Sequence, residues 1–231
     1  MIFNGHTIDG LSSDLLEALG SAFKSASNEE EDRAATSLLR FTWTFDDCHK
    51  DLTTIDQVIR GHFGITFRFF VSPFLIDSCS SGSAQFVRNQ LRDENASLLS
   101  WDEIGSLVEK GHLIGLHGYD HSDFSVMSDS QIVEQHERSI DLLRNRLGLS
   151  TDSFAFPFGR LRGGIQIFQN SEITITKKYF SRLYLSDNRL PVFNIHNVFN
   201  RRHAEFGSSV FTSVIKGFLQ FRFSRRLNNL L

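Results

Sequence analysis

A chain of 231 residues with 40% hydrophobic and 22% charged residues reads as a soluble globular protein of one domain with a sizeable core, not as a disordered one. Its formal net charge of -3 gives no global reason to expect nucleic acid, and two cysteines, Cys48 and Cys79, make no disulfide framework. The first residues lack a basic segment leading into a long apolar one, and no apolar run reaches the roughly 18 residues of a membrane-spanning helix, so the expectation is a cytoplasmic protein.

Residues 12–26 carry apolar side chains at helical spacing behind a Ser/Asp cap, which predicts a helix, and the acidic stretch 27–33 reads as a solvated loop. Residues 37–45 mix apolar, aromatic and Thr side chains and predict a buried strand that delivers Asp46 and Asp47 at its C-terminal end. A helix is expected over 53–64, a β-branched and aromatic strand over 65–73 up to Pro73, and a loop with a helix over 81–96. Ser100 followed by Glu103 is a capping-box pattern that opens a helix over 100–111. A short strand, 112–117, then ends on His117. The longest helical pattern, 128–149, ends near Gly148. A strand over 153–159 runs into a turn at Pro157, two more strands are expected over 179–186 and 191–199, and a helix over 208–227 closes the chain. Alternating strands and helices predict parallel strands with helical crossovers, whose C-terminal ends would gather Asp46, Asp47, His117, His121 and the Pro157 turn. The 23 phenylalanines, against 3 Tyr and 2 Trp, predict a bulky aromatic core.

A hydrolytic metal site needs a few nitrogen and carboxylate ligands with one position left for water. Asp47, His117 and His121 supply two imidazoles and one carboxylate, and Asp46 stands beside them as a carboxylate able to take a proton. Taken alone, each pair has a plain alternative: two His four apart are weak evidence for metal, and an Asp-Asp pair usually serves a turn or helix cap. The metalloprotease pattern is excluded, because Gly118 and not Glu follows His117. What favours a site is that each pair ends its own predicted strand.

These same segments resemble the motifs of the polysaccharide deacetylase, or NodB-homology, family of carbohydrate deacetylases. Residues 44–48, TFDDC, are similar to its Thr-Phe-Asp-Asp-Gly motif, and 111–125, GHLIGLHGYDHSDFS, to its Gly-His-x-Ile-Gly-x-His-(Ser/Thr)-x-x-His motif. Residues 154–159, FAFPFG, resemble its Arg-x-Pro-Tyr motif in a Phe-Ala-Tyr-Pro-Tyr-Gly variant, and the likeness runs over roughly 40–160 in the right order. The resemblance implies an α/β fold, a distorted (β/α)7-type barrel in a single domain, expected over 37–231; residues 1–36, ahead of the resemblance and carrying the helix expected over 12–26, are expected to form an N-terminal helical extension. It also implies hydrolysis of an N- or O-linked acetyl group on a carbohydrate. Asp46 would be the general base. Asp47, His117 and His121 would hold one divalent metal, zinc first, with cobalt, manganese or nickel as alternatives. Pro157 and Phe158 would line the substrate groove, the main-chain N–H of Phe158 would help hold the oxyanion, and His196 is the expected general acid. The substrate would be an acetylated sugar, oligosaccharide or sugar nucleotide, in building or modifying surface polysaccharide.

The chain departs from that pattern at three positions. Cys48 replaces Gly, Gly118 replaces Ser/Thr, and Ala155 replaces the Arg that pairs with the base, for which Arg160 and Arg162 are substitutes to consider. These departures leave a second reading open, a metal- and carbohydrate-binding protein of the same fold without catalysis. A third reading is peripheral membrane contact through the basic, Phe-rich residues 200–231, against which a last barrel helix with a solvated face is favoured.

Overall fold

The structure, a computed structural model, describes residues 2–5, 42–63, 66–159, 161–162, 170–186 and 193–203. The helices expected over 12–26 and 208–227 and the acidic stretch 27–33 lie outside the described residues, as does most of the basic C-terminal segment. Six short strands run parallel and side by side: β1 (Ile2–Gly5), β2 (Thr42–Phe45), β3 (Arg68–Val71), β4 (Leu113–Leu116), β5 (Ser153–Ala155) and β6 (Arg182–Leu185). Helix α1 (Leu52–Phe63) crosses between β2 and β3. Helices α2 (Pro73–Ser80), α3 (Ala84–Leu91) and α4 (Trp101–Glu109) lie between β3 and β4. Helix α5 (Asp129–Leu147) joins β4 to β5, and α6 (Ser171–Thr176) precedes β6. Parallel neighbours need such crossovers, and the expected α/β barrel architecture is what forms.

The ends of the curled sheet meet on one stretch of chain. A hairpin of β7 (Phe193–Ile195) and β8 (Val198–Asn200) puts β8 parallel to β6. One residue later, β9 (Arg202–His203) pairs in parallel with β1. Residues 198–203 thus act as a seventh stave between β6 and β1, with Arg201 at the changeover. Ile2–Gly5, assigned from sequence to an extension ahead of the barrel, is itself a strand of the sheet, paired with Thr42–Phe45. Four residues with no helical or alternating context gave no signal of this; the pairing is made across some forty residues.

Alternation along the strands separates two apolar regions. Phe67, Phe69, Val71, Ile114, Leu116 and Phe154 pack in the main core with Leu75, Ile104, Leu107, Ile132 and Leu143 from the helices. Phe70, Ala155 and Tyr184, with Phe199 against them, form a separate cluster inside the barrel. Residue 115 must be glycine for that interior to fill: a Cβ there would stand 2.4 Å from two carbons of the Phe70 ring. The expected capping box at Ser100 and Glu103 is present, and a second one joins Ser128 to Gln131. Gly148 closes α5 in the left-handed conformation, φ 67. Pro73 does not end a strand but opens α2, where its missing N–H is no loss.

A buried polar clamp ties α1 to the start of β4. Asp56 accepts hydrogen bonds from His112 Nε2 (2.7 Å), Lys110 Nζ (2.7 Å) and Arg60 Nε (2.9 Å), while His112 Nδ1 accepts the Phe67 N–H at 3.1 Å. His112 is therefore the neutral Nε2–H tautomer, in keeping with a pKa lowered by burial. Burial alone would raise the Asp56 pKa, but the bonds from Lys110, His112 and Arg60 outweigh it and bring the carboxyl down to about 2. A carboxyl depressed on folding stabilises the protein above its unfolded pKa, and that stability is lost as pH falls through the folded one. Acid titration should therefore remove about 2 kcal/mol from this clamp between pH 4 and 2. Asp56→Asn should lower stability at pH 7 and flatten that part of the curve in urea melts; an unchanged slope would show that the clamp contributes nothing.

Candidate active site and metal centre

Adjacent residues on a strand point to opposite faces, so Asp46 and Asp47 can share a site only if the strand has ended before they are reached. It does. β2 stops at Phe45, and Asp47 and Cys48 take left-handed backbone conformations, φ 67 and 54. The same device serves the histidines: β4 stops at Leu116, Gly118 has φ 78 and His121 φ 61. His121 Nε2 lies 3.2 Å and His117 Nε2 3.5 Å from Asp47 Oδ1, and His117 Nε2 lies 3.8 Å from Asp46 Oδ2. All four side chains are buried. Ligand-type atoms of Asp47, His117 and His121 fall within 4.8 Å of one another.

His117 is oriented for ligation. Its Nδ1–H donates to the Ala155 carbonyl at 2.8 Å, which leaves Nε2 with a lone pair facing the carboxylates. Nε2 is buried and makes no hydrogen bond. Burial brings the imidazole pKa down to about 4, against the opposing pull of Asp46 and Asp47, so the ring is neutral near pH 7. A neutral imidazole aimed at a carboxylate it does not bond, beside a second imidazole, is the donor set of a borderline divalent cation, and these residues fit one. Ser72 Oγ donates to the His117 carbonyl at 2.8 Å, and Gln135 Oε1 accepts the Tyr119 N–H at 2.8 Å. These contacts hold the histidine loop where Gly118 brings no hydroxyl. A side chain at 118 would also crowd Phe124 and Pro157, at 3.2 and 3.3 Å from a Cβ.

Asp46 belongs to a different partnership. Arg201 Nη1 and Nη2 donate to its two carboxylate oxygens at 2.8 and 2.9 Å. Nη1 also reaches Thr44 Oγ1 at 3.1 Å and Nε the Leu185 carbonyl at 3.3 Å. The guanidinium is fully buried over the rings of Phe70 and Tyr184, the two aromatics that flank the small Ala155 inside the barrel. Among the described residues, the guanidinium paired with Asp46 is that of Arg201, not that of Arg162. Arg162 uses its backbone N–H on Glu172 and its guanidinium on the Met127 carbonyl, and Arg160 lies outside the described residues. One signal was available: an Arg two residues after Phe199 keeps the inward alternation of an otherwise apolar strand.

His196 stands far from this constellation, and its expected role as general acid is not compatible with the fold. His196 and Asn197, φ 49 and 62, form the two-residue turn between β7 and β8. Because β8 runs parallel to β6, that turn lies at the N-terminal end of the sheet, opposite to the end that carries Asp46 and His117. His196 is exposed there. Positive φ at two successive residues breaks what reads from sequence as one strand, 191–199, into a hairpin. Cys48 takes no ligand role either. Its thiol is wholly buried, bonds the Phe70 carbonyl at 3.7 Å, and is pushed well up by burial, then by Asp47 and Asp46. His49 sits at the rim, in a β-bridge to Leu98.

Pro157, Phe158 and Gly159 form a tight 3-10 turn with Phe158 left-handed, φ 58. Its ring meets His121 edge-on at 4.8 Å between centroids. The turn is pinned to β6: Ser186 N–H donates to the Gly159 carbonyl at 3.1 Å, and a Cβ at Gly159 would come within 2.7 Å of Ser186 N. Among the described residues no helix is long and apolar enough to cross a membrane.

A sequence profile of polysaccharide deacetylases matches residues 40–174. No curated protein matches significantly in sequence. Among solved structures, IcaB from Ammonifex degensii is similar at 18% identity and a TM-score of 0.63, covering 94% of this chain and 95% of that one. The Streptococcus pyogenes deacetylase PplD, in complex with acetate, is similar at 16% identity and TM-score 0.63, covering 95% of each chain. A de-N-acetylase from Aggregatibacter actinomycetemcomitans gives 12% identity and TM-score 0.59, covering 92% of this chain and 97% of that one. Arg201 lies beyond the matched span.

Proposed function

The chain belongs to the polysaccharide deacetylase family, and on that premise we propose that it is a metal-dependent hydrolase that removes an N- or O-linked acetyl group from a carbohydrate. The observation that carries this reading is the convergence of Asp46, Asp47, His117 and His121 at one end of the barrel, all buried and linked in a chain of contacts of 3.2 to 3.8 Å from His121 through Asp47 and His117 to Asp46. Asp47, His117 and His121 would hold the cation, zinc first by ligand type, with cobalt, manganese or nickel as alternatives. Such a cation, when bound, polarises the acetyl carbonyl and acidifies a water.

Asp46 takes the proton of the attacking water. The Arg201 fork fixes the plane of its carboxylate, so the base meets the water in one orientation. The Phe158 N–H, presented by the left-handed turn, donates to the oxyanion. With His196 at the far end of the sheet, Asp46 itself returns the proton to the leaving amine or alcohol. Pro157 and Phe158 line the groove that holds the sugar, and a place in building or modifying surface polysaccharide suits this reaction.

Acetate release from N-acetylated oligosaccharides, with metal counted by elemental analysis, tests the proposal. About one divalent cation per chain is expected, with activity abolished by chelation and restored by zinc. A protein that holds no cation after incubation with zinc would sink the hydrolase reading.

A further inference from the structure

A cation sits at the mouth of the site. Arg92, the residue that closes α3, has a left-handed backbone, φ 59, ψ 35. Its guanidinium carbon stands 4.9 Å from the centroid of the Phe158 ring, which in turn touches His121. Among the described residues it forms no ion pair. The neighbouring carboxylates are used elsewhere: Asp93 accepts the Asn95 N–H, Asp120 the Ser122 N–H and the Gln135 amide, and Asp123 the Ser125 N–H and hydroxyl. Arg88, one helical turn earlier, likewise has no carboxylate within ion-pair distance among the described residues, and its Nε is buried without a hydrogen bond.

Segment 82–99 is held against the site by its own contacts. Gln90 Nε2 reaches Ser122 Oγ at 3.4 Å, and Leu99 and Lys50 exchange backbone bonds with Cys48 and Ser97. Packing on Phe158 gives the guanidinium a seat while the residue stays exposed to solvent. A planar guanidinium with free donors selects a planar or tetrahedral oxyanion and offers little to a neutral hydroxyl. Phe158 contributes a ring without a polar tip, so among the described residues the charge against that ring is the Arg92 guanidinium.

We infer that Arg92 is the anion anchor of the substrate groove, and that the acetylated sugar carries or adjoins a carboxylate or a phosphate. This rests on the deacetylase reading. Acidic glycans and nucleotide sugars share the required chemistry, and the substrates of the test separate them. Acetate release is measured from N-acetylglucosamine in three carriers: a neutral chitooligosaccharide, a glucuronate-containing oligosaccharide and UDP-N-acetylglucosamine, with wild type, Arg92→Gln and Arg92→Lys. The expected result is a ratio of kcat/KM, one acidic carrier over the neutral one, that falls about tenfold in Arg92→Gln through KM and is partly restored by Arg92→Lys. An equal ratio in wild type and Arg92→Gln overturns the inference. Calorimetric titration with the two acidic carriers reads the anchor without catalysis. Binding to wild type that weakens about tenfold in Arg92→Gln supports it even if no acetate is released, and equal or absent binding overturns it.

Discussion

His117→Ala is expected to bring bound metal from about one ion per chain to near zero and acetate release down by roughly a thousandfold or more. The imidazole is one of three candidate ligands in a buried site, and its orientation depends on a single bond to the Ala155 carbonyl. Removing it leaves one imidazole and one carboxylate, a poorer set for a borderline cation. The fold should survive, because the loop on either side keeps the bonds from Ser72 to the His117 carbonyl and from the Tyr119 N–H to Gln135. Elemental analysis and a thermal melt read the two effects separately. A folded variant that retains wild-type metal would remove His117 from the ligand set.

Arg201→Met should separate the base from the metal. The variant keeps Asp47, His117 and His121, so metal content should match wild type, while kcat falls roughly a hundredfold as the Asp46 carboxylate loses its fixed plane. Stability should fall by about 3–5 kcal/mol, because a buried carboxylate is left without its guanidinium. Arg201 and Asp46 are both nearly inaccessible, so water does little to screen the loss. Arg201→Lys should recover part of the stability and less of the activity, since an ammonium cannot supply two parallel donors. Arg201→Met combined with Asp46→Asn should be more stable than Arg201→Met alone, the charge having gone with its partner. Wild-type kcat in a folded Arg201→Met protein would show that the pair serves only the core.

The candidate ligand residues were legible in the linear chain because each sits where a local signal ends. Phe45 and Leu116 terminate buried apolar strands, and parallel strands deliver the residues at their C-terminal ends to one end of a barrel. The capping boxes, the left-handed Gly148 and the alternation that fills the barrel are equally local, set by hydrogen bonds and side-chain directions within a few residues. Strand ends and motif likeness together therefore pointed to Asp46, Asp47, His117 and His121.

The features that the chain could not disclose by itself depend on pairings between distant segments. Arg201 meets Asp46 across 155 residues, and no local periodicity records which arginine will be buried against which carboxylate. Ile2–Gly5 becomes a strand because β2 and β9 stand on either side of it, not because four residues prefer that shape. His196 lies at the wrong end because two successive positive φ values reverse the chain there, and a lone histidine after an apolar run reads the same whichever way the chain turns. Sequence determined the candidate donor set, since it depends on residue types at strand ends. Tertiary structure alone decided how the Asp46 carboxylate is held and which end of the barrel each late residue faces, since both depend on how the sheet closes.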